Sequence, residues 1–410
     1  MQSSPIFLGD RLILDGLDNL AAVDPSDGSL IWKLDLESLG LSRGITFDKS
    51  SSRIYKGTSD GVLEIDSNTG QVMHVFRDVR SGLPPIIHNG NLFIATLEEG
   101  VASFDLKSRE RNWQTSFEKN GYKARVWSGF SMDEISGLIF VVTGSSGGST
   151  GWWRNEPNLE TSVIAVNAAS GKIVWTFQQI DHDIWDLDLV GNPIVLDLNI
   201  DGRIQRSVVG LTKTGDVLLL DVLNGQPVHE NSYKLISVPP SDVPREKTAP
   251  FQKKFFKPEP YSSIVIDMEK DFSHLNEENL EYVKNKLRFS RSSFFLPPSI
   301  NHDIILYGIH GGAEWFGGAI DFSNKNPSLI IPYNRDPWII RAFYTDKISR
   351  VFDILAEKIV SYSDTSSENF EVEAAWIPWD HGNKEVLQLS DKIYSNTPFT
   401  AKHKSYAAEC

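Results

Sequence analysis

Asp181-His182-Asp183-Ile184-Trp185-Asp186-Leu187-Asp188 packs four carboxylates and a histidine into eight residues. Carboxylates this close repel one another and raise each other's pKa, a setting that suits a general base or a hard cation such as Ca2+. A solvated acidic loop has the same composition, although Trp185 in its middle is out of place there. Two further segments can serve chemistry. In Thr212-Lys213-Thr214-Gly215 a lysine stands at a strand-turn junction, either as a plain surface cation or as a positioned one. In Gly311-Gly312-Ala313-Glu314-Trp315-Phe316-Gly317-Gly318 paired glycines flank a tryptophan. That pattern lets backbone approach something flat and closely packed, or else builds a Gly-rich turn. No Cys-x-x-Cys, Walker or dinucleotide Gly motif is present, and the one cysteine, Cys410, leaves no internal disulfide or cysteine metal site.

The elements that must position these segments are repeats. From Leu20 to Trp32 the chain runs through an apolar strand, Asp24, a turn with Gly28 and a second strand, reaching Trp32 eight residues after the Asp. The unit returns as Asp66 to His74, Asp105 to Trp113, Asn167 to Trp175 and Asp221 to His229, always with that offset. Gly70, Gly171 and Gly225 are kept, and the Asp105 copy has lost its glycine. An Asp or Asn side chain bonds backbone N–H groups in such a turn, and Gly accepts the positive φ of a tight hairpin. The flanking residues alternate or run apolar in Val, Ile, Leu and Phe, as strands packed between sheets do. One such turn says little. Five at a fixed aromatic offset predict an all-β chain of the β-propeller type.

Spacing organises the rest. Asp24, Asp66 and Asp105 lie 42 and 39 residues apart, the length of a four-stranded blade, whereas Asn167 and Asp221 follow at 62 and 54. The excess is loop, including the Gly/Ser-rich stretch at 143–153, and long ordered loops line the functional face of a propeller. Residues 238–300 read as an inter-blade insertion with one helix, Asn276 to Leu287, whose apolar stripe is Leu280, Val283 and Leu287. A further blade is expected from Ile304 to Ile331, giving an incomplete propeller of about six to seven blades over 1–345. Residues 346–410 form a polar C-terminal extension with a short amphipathic run at Val351 to Val360. The chain of 410 residues is 40% apolar, carries eleven Trp and thirty Gly for packing and turns, and has a formal net charge of −14. With no long basic run it argues against a nucleic-acid partner or an anionic membrane surface. No stretch reaches about 18 apolar residues, and the start lacks signal-peptide features, so taken literally the chain is cytosolic and soluble.

In combination, His182-Asp183-Ile184-Trp185-Asp186, Thr212-Lys213-Thr214-Gly215 and Gly311 to Gly318, threaded between Asp-turn-Gly-Trp units, resemble the PQQ-dependent dehydrogenases, the quinoprotein alcohol and glucose dehydrogenases. The resemblance runs from about residue 5 to 345. It implies an eight-bladed propeller holding pyrroloquinoline quinone (PQQ) and Ca2+ on its axis, and oxidation of an alcohol or sugar hydroxyl to a carbonyl. Asp186 would be the general base. Lys213, 27 residues later, would hydrogen-bond the quinone oxygens and stabilise a developing oxyanion, Lys being similar to the glucose-dehydrogenase branch. Trp127, in Arg125-Val126-Trp127-Ser128-Gly129, would stack on the quinone, and Trp315 would help enclose its other side.

The metal ligands implied are Asp186, Ser145 and Glu98. Where many members have Gly-Thr-Gly-Asn, this chain has Val142-Thr143-Gly144-Ser145. A Ser hydroxyl is a poorer Ca2+ ligand than an amide carbonyl, so either a neighbouring oxygen substitutes or the metal is held more weakly. Glu98, with Glu99 beside it, stands for the early-blade carboxylate. The resemblance also implies a periplasmic enzyme with a cytochrome or quinone as electron acceptor. Both ends read as cut, and Ser405 to Cys410 resembles the approach to a haem c site, as in quinohaemoproteins. The competing expectations are a non-catalytic propeller of the same repeats, acting as a protein-interaction scaffold, and an inactive enzyme fragment whose ring is open.

Overall fold

Each repeat closes a hairpin at its acidic or amide residue. Asp24, Asp66, Asp105, Asn167 and Asp221 accept through Oδ1 from backbone N–H groups two or three residues on, at 2.8 to 3.0 Å. Gly28, Gly70, Gly171 and Gly225 then donate back to that residue's carbonyl at 2.8 to 2.9 Å, each with φ between +70 and +75°. In the third copy Arg109 takes this position at φ +63°, a region that L-residues rarely enter.

The computed structural model describes residues 3–36, 42–97, 100–120, 122–144, 159–200, 202–243, 246, 248–267, 269–272, 276–307, 312–323, 328–335 and 337–344, with strands Phe370–Trp376 and Tyr406–Ala407 beyond them. The hairpins build four antiparallel sheets of four strands each, in sequential order. Blade 1 is Ile6–Phe7, Leu12–Asp15, Asn19–Val23 and Leu30–Asp35. Blade 2 is Thr46–Asp48, Arg53–Gly57, Gly61–Asp66 and Val72–Arg77. Blade 3 is Ile86–His88, Asn91–Thr96, Gly100–Asp105 and Arg111–Thr115. Blade 4 is Phe130–Asp133, Leu138–Val142, Ser162–Asn167 and Ile173–Gln178. Blade 5 has Leu189–Ile200, Arg203–Thr212 and Val217–Asp221, with a single bridge from Leu220 to Pro227 in place of a fourth strand.

Both faces of the central strands are apolar because both are covered. Ile13, Leu20, Ile54 and Ile65 form one core between blades 1 and 2, and Phe140, Trp175, Val208 and Leu220 another between blades 4 and 5. The repeat aromatics lock these joints. Trp32, Trp113 and Trp175 each donate Nε1–H to the carbonyl of the residue after the next repeat's Asp or Asn, namely Ser67, Ala168 and Val222, at 2.9 to 3.1 Å. Each indole lies against that turn's glycine, so closely that a Cβ on Gly70, Gly171 or Gly225 would come within 2.4 to 2.6 Å of the ring. At the remaining joint both partners differ together. His74 replaces the tryptophan and Arg109 the glycine, and Arg109 instead reaches back to Glu64 at 2.8 Å. Buried ion pairs add to the joints, with Lys56 on Asp15 at 2.5 Å between blades 1 and 2 and Arg206 on Asp133 at 2.5 Å between blades 4 and 5.

The insertion holds the expected helix as Glu277–Leu287, capped by Asn276, whose side chain accepts from Asn279 N–H. Val283 and Leu287 bury against Ile305 and Tyr307, with Leu280 alongside. The further blade expected from Ile304 to Ile331 is divided, its described strands belonging to three separate sheets. Ile304–Tyr307 pairs with Pro337–Tyr344, Gly312–Ala313 with Pro332–Asn334, and Ala319–Asp321 with Ser328–Ile330. Gly312, the next described residue after Tyr307, lies against the backbone of Lys213, and Ile304–Tyr307 takes its partner from further along the chain. The run Val351 to Val360 lies outside the described residues. Among those residues no helix is long and apolar enough to cross a membrane.

Candidate active site

In a four-stranded meander the connections alternate between two ends. Segments entering the first strand, and hairpins between the second and third, share one end, whereas the Asp-turn-Gly hairpins close the other. Trp127 precedes the first strand of blade 4, and Asp186 and Asp188 precede that of blade 5. Lys213 sits in the hairpin between the second and third strands of blade 5. The chemistry-bearing residues therefore share the end opposite the repeat turns.

The carboxylates of the acidic segment are each partnered, Asp186 and Asp188 by the same lysine. Asp181 pairs with Lys253 at 2.9 Å. Asp183 is buried and accepts from the N–H groups of Trp185 and Leu187, at 3.0 and 2.8 Å. Trp185 is 1% exposed and donates Nε1–H to the Leu296 carbonyl, which explains an aromatic in an acidic run. His182 and Asp186 adopt φ of +58 and +56°, and His182 Nε2 meets Glu246 of the insertion at 2.8 Å. Backbone held in this region by surrounding bonds is a common device for presenting a functional side chain.

Lys213 Nζ donates to the Asp186 carbonyl at 2.8 Å and to its Oδ2 at 3.0 Å, with Asp188 Oδ2 at 3.5 Å. Burial works against its charge, yet Asp186 and Asp188 outweigh burial and hold the ammonium above the ordinary lysine value. Its backbone is equally fixed. Thr212 Oγ1 accepts from Asp216 N–H at 2.9 Å, and a Cβ on Gly312 would lie 2.2 Å from the Lys213 carbonyl oxygen, so only glycine fits there. Lys213 Nζ stands 5.4 Å from the Trp127 ring centre. Asp186, Lys213 and Trp127, expected from separate motifs, are thus brought together.

Trp315 belongs to the same region. Arg43, which enters the first strand of blade 2, places its guanidinium 3.9 Å from the Trp315 ring centre and 5.4 Å from that of Trp127. An open cavity of about 280 Å³ is lined by Arg43 and Trp315 together with Ser3, Ser128 and Asn192. Sequence reasoning missed Arg43, which carries no motif; the signal is its position, before an inner strand as Trp127 and Asp186 are. Glu98, Ser145 and Gly311 lie outside the described residues. Among the described residues no three His, Cys, Asp or Glu side chains gather as a metal site. Of the expected Ca2+ ligands only Asp186 is described, and its Oδ2 is engaged by Lys213, so these residues do not by themselves make up a calcium site.

The described donors do fit a flat anionic ring system. Trp127 Nε1 and the Nε and Nη1 of Arg43 are buried with no hydrogen-bond partner among the described residues, and buried polar groups ordinarily have one. Gly144 approaches the Trp127 edge so closely that a Cβ would sit 2.5 Å from Nε1. Two indole faces, two cations and a carboxylate can bind a planar acid and take a proton beside it.

Residues 102–376, well over half of the chain, match the family described as PQQ, glucose/ethanol/alcohol dehydrogenase, beta-propeller domain. The chain is 23% identical over 413 residues to the glycerol dehydrogenase large subunit of Gluconobacter oxydans (strain 621H), covering 82% of this chain and 53% of that protein. It is 30% identical over 221 residues to quinoprotein glucose dehydrogenase A of Acinetobacter calcoaceticus, covering 50% and 26%. Its fold is similar to that of quinohemoprotein alcohol dehydrogenase from Comamonas testosteroni, with a TM-score of 0.60 at 15% identity over 91% of this chain and 56% of that one. The chain spans about half the length of the first of these curated relatives and about a quarter of the second.

Proposed function

The chain belongs to the PQQ family of glucose, ethanol and alcohol dehydrogenase β-propellers, and on that premise we propose that it is a quinoprotein oxidoreductase that oxidises an alcohol or sugar hydroxyl to a carbonyl. The observation that carries this reading is the Asp186–Lys213 contact of 3.0 Å beside the face of Trp127. Trp127 and Trp315 offer ring faces to PQQ, and Lys213 offers a donor to its carbonyl oxygens. When bound, the quinone supplies a two-electron acceptor for hydride from the carbinol carbon. Asp186 is the base. One of its oxygens is fixed by Lys213 while the side chain stays 24% exposed, leaving the carboxylate able to meet a substrate hydroxyl and take its proton. Lys213 sets a positive charge where an oxygen gains negative charge during the reaction.

Calcium is proposed at Asp186 with Ser145 and Glu98. A chelator should then lower turnover and added Ca2+ restore it, whereas chelator-insensitive turnover would argue against the metal. A periplasmic setting and a cytochrome or quinone acceptor are proposed on family membership alone. For the reaction itself, Asp186→Asn should lower kcat by at least about 100-fold while PQQ affinity changes less than about threefold. Unchanged turnover would remove Asp186 from the reaction. Failure of the wild type to bind PQQ would favour a non-catalytic repeat propeller that serves as a protein scaffold.

A further inference from the structure

We propose that Tyr261, in the insertion, is a positioning residue of this site. Its hydroxyl fixes the peptide from which Lys213 extends and so sets the ammonium against Asp186, an inference that rests on the quinoprotein reading above. A lysine is a point charge on a flexible four-carbon stem. The contacts of Nζ with Asp186 and Asp188 hold it in one place only if the backbone beneath it is held too. That backbone is the hairpin between the second and third strands of blade 5, and Tyr261 grips it on both sides of the lysine. The Tyr261 O–H donates to the Thr212 carbonyl in a short bond. Its own N–H donates to the Gly215 carbonyl at 2.9 Å, joined there by the Ser262 N–H at 3.3 Å.

The Thr212 carbonyl and the Lys213 N–H belong to one planar peptide, and that N–H meets the Asp188 carbonyl at 3.3 Å. Both edges of the peptide are therefore held, one by the insertion and one by the acidic segment. The approach is close, since a Cβ on Gly215 would lie 2.4 Å from the Ser262 carbonyl carbon. The hydroxyl has a second bond, accepting from the Ala313 N–H at 2.9 Å. One group thus ties the Lys213 turn to the segment that carries Trp315. The Tyr261 ring stands edge to face with Tyr333, ring centres 5.3 Å apart, and Tyr333 is the strand partner of Ala313. Burial pushes the phenol pKa well above the ordinary tyrosine value, so at neutral pH the group is an O–H donor. A ring that only filled space would have no use for that hydroxyl.

The test is a double-mutant cycle of Tyr261→Phe and Lys213→Met on the purified chain, with PQQ affinity read by tryptophan fluorescence quenching. Tyr261→Phe keeps the ring and removes both hydroxyl bonds. It should weaken PQQ binding about 5- to 10-fold when Lys213 is present, and by less than about twofold in Lys213→Met, where no ammonium remains to be misplaced. A general loosening of the fold would instead lower affinity equally in both backgrounds. Equal losses, or unchanged affinity in folded Tyr261→Phe, overturn the proposal. Should Tyr261→Phe fail to fold, as read by circular dichroism and melting, the same cycle is run with Tyr261→His. If wild type binds no PQQ, the quinoprotein reading falls and the proposal with it, an outcome distinct from binding that ignores Tyr261.

Discussion

Asp186 owes its placement to a neighbour. Asp183 gathers the N–H groups of Trp185 and Leu187, and between them Asp186 is held at φ +56°. Asp216 shows a different balance within the turn that carries Lys213. Burial raises its carboxyl to about 6, although Thr214 and Gln179 bond to the ionised form. Because that value lies above the unfolded one, Asp216 favours the folded state at low pH. That contribution is fully present below pH ~4, disappears as pH rises through 6, and amounts to on the order of 3 kcal/mol. Asp216→Asn should therefore stabilise the protein more at pH 7 than at pH 4, as read by melting temperature; an equal effect at both values would show that Asp216 does not titrate this way. That Asp186, Lys213 and Trp127 belong to one place was legible in the sequence, because each sits in a recognisable segment and the spacings match. Arg43 was not, since one arginine in a loop becomes informative only when the fold brings Trp315 to it.

The repeat joints set the next scale. The turn glycine does two things, accepting positive φ and clearing space for the tryptophan of the preceding blade. Gly28 and Gly171 separate the two roles, since both have φ above +70° but a Cβ on Gly28 meets nothing within 4 Å, while one on Gly171 meets Trp113 at 2.6 Å. Gly28→Ala should cost about 1 kcal/mol from backbone strain alone, and Gly171→Ala about 3 kcal/mol once the ring must move. Equal losses in chemical denaturation would refute the packing role. The fixed offset of the aromatic announced a structural unit, but the sequence could not say that its partner lies in the next blade. The blade expected from Ile304 to Ile331 was misread for a related reason. Strand pairing there is long-range, Ile304–Tyr307 with Pro337–Tyr344, whereas local patterns report only neighbours in sequence.

Across the whole molecule, one end of the blades is given to repeat hairpins and the other to the site, so the site depends on how the blades are fixed to one another. Asp133 and Arg206 tie blade 4 to blade 5, which carry Trp127 and Lys213 respectively. Burial opposes the Asp133 charge, but Arg206 and Ser136 overcome it and hold the carboxyl near 2. Its contribution is thus present above pH ~4 and fades as pH falls toward 2. Arg206→Met strands a buried carboxylate and should cost about 2–3 kcal/mol at pH 7. An unchanged melting temperature would mean that the pair does not hold the joint. The all-β propeller was legible from turn chemistry alone. The cavity was not, because it exists only where six distant segments meet.

The central claim is that the place where Asp186, Lys213 and Trp127 meet is a quinone site. Titrating PQQ into the purified chain while following bound-quinone absorbance tests it most directly, with Trp127→Ala measured in parallel. The account predicts saturation at one PQQ per chain and an affinity at least about 10-fold weaker in Trp127→Ala. Absence of saturable binding, or equal affinity in the two proteins, would contradict it.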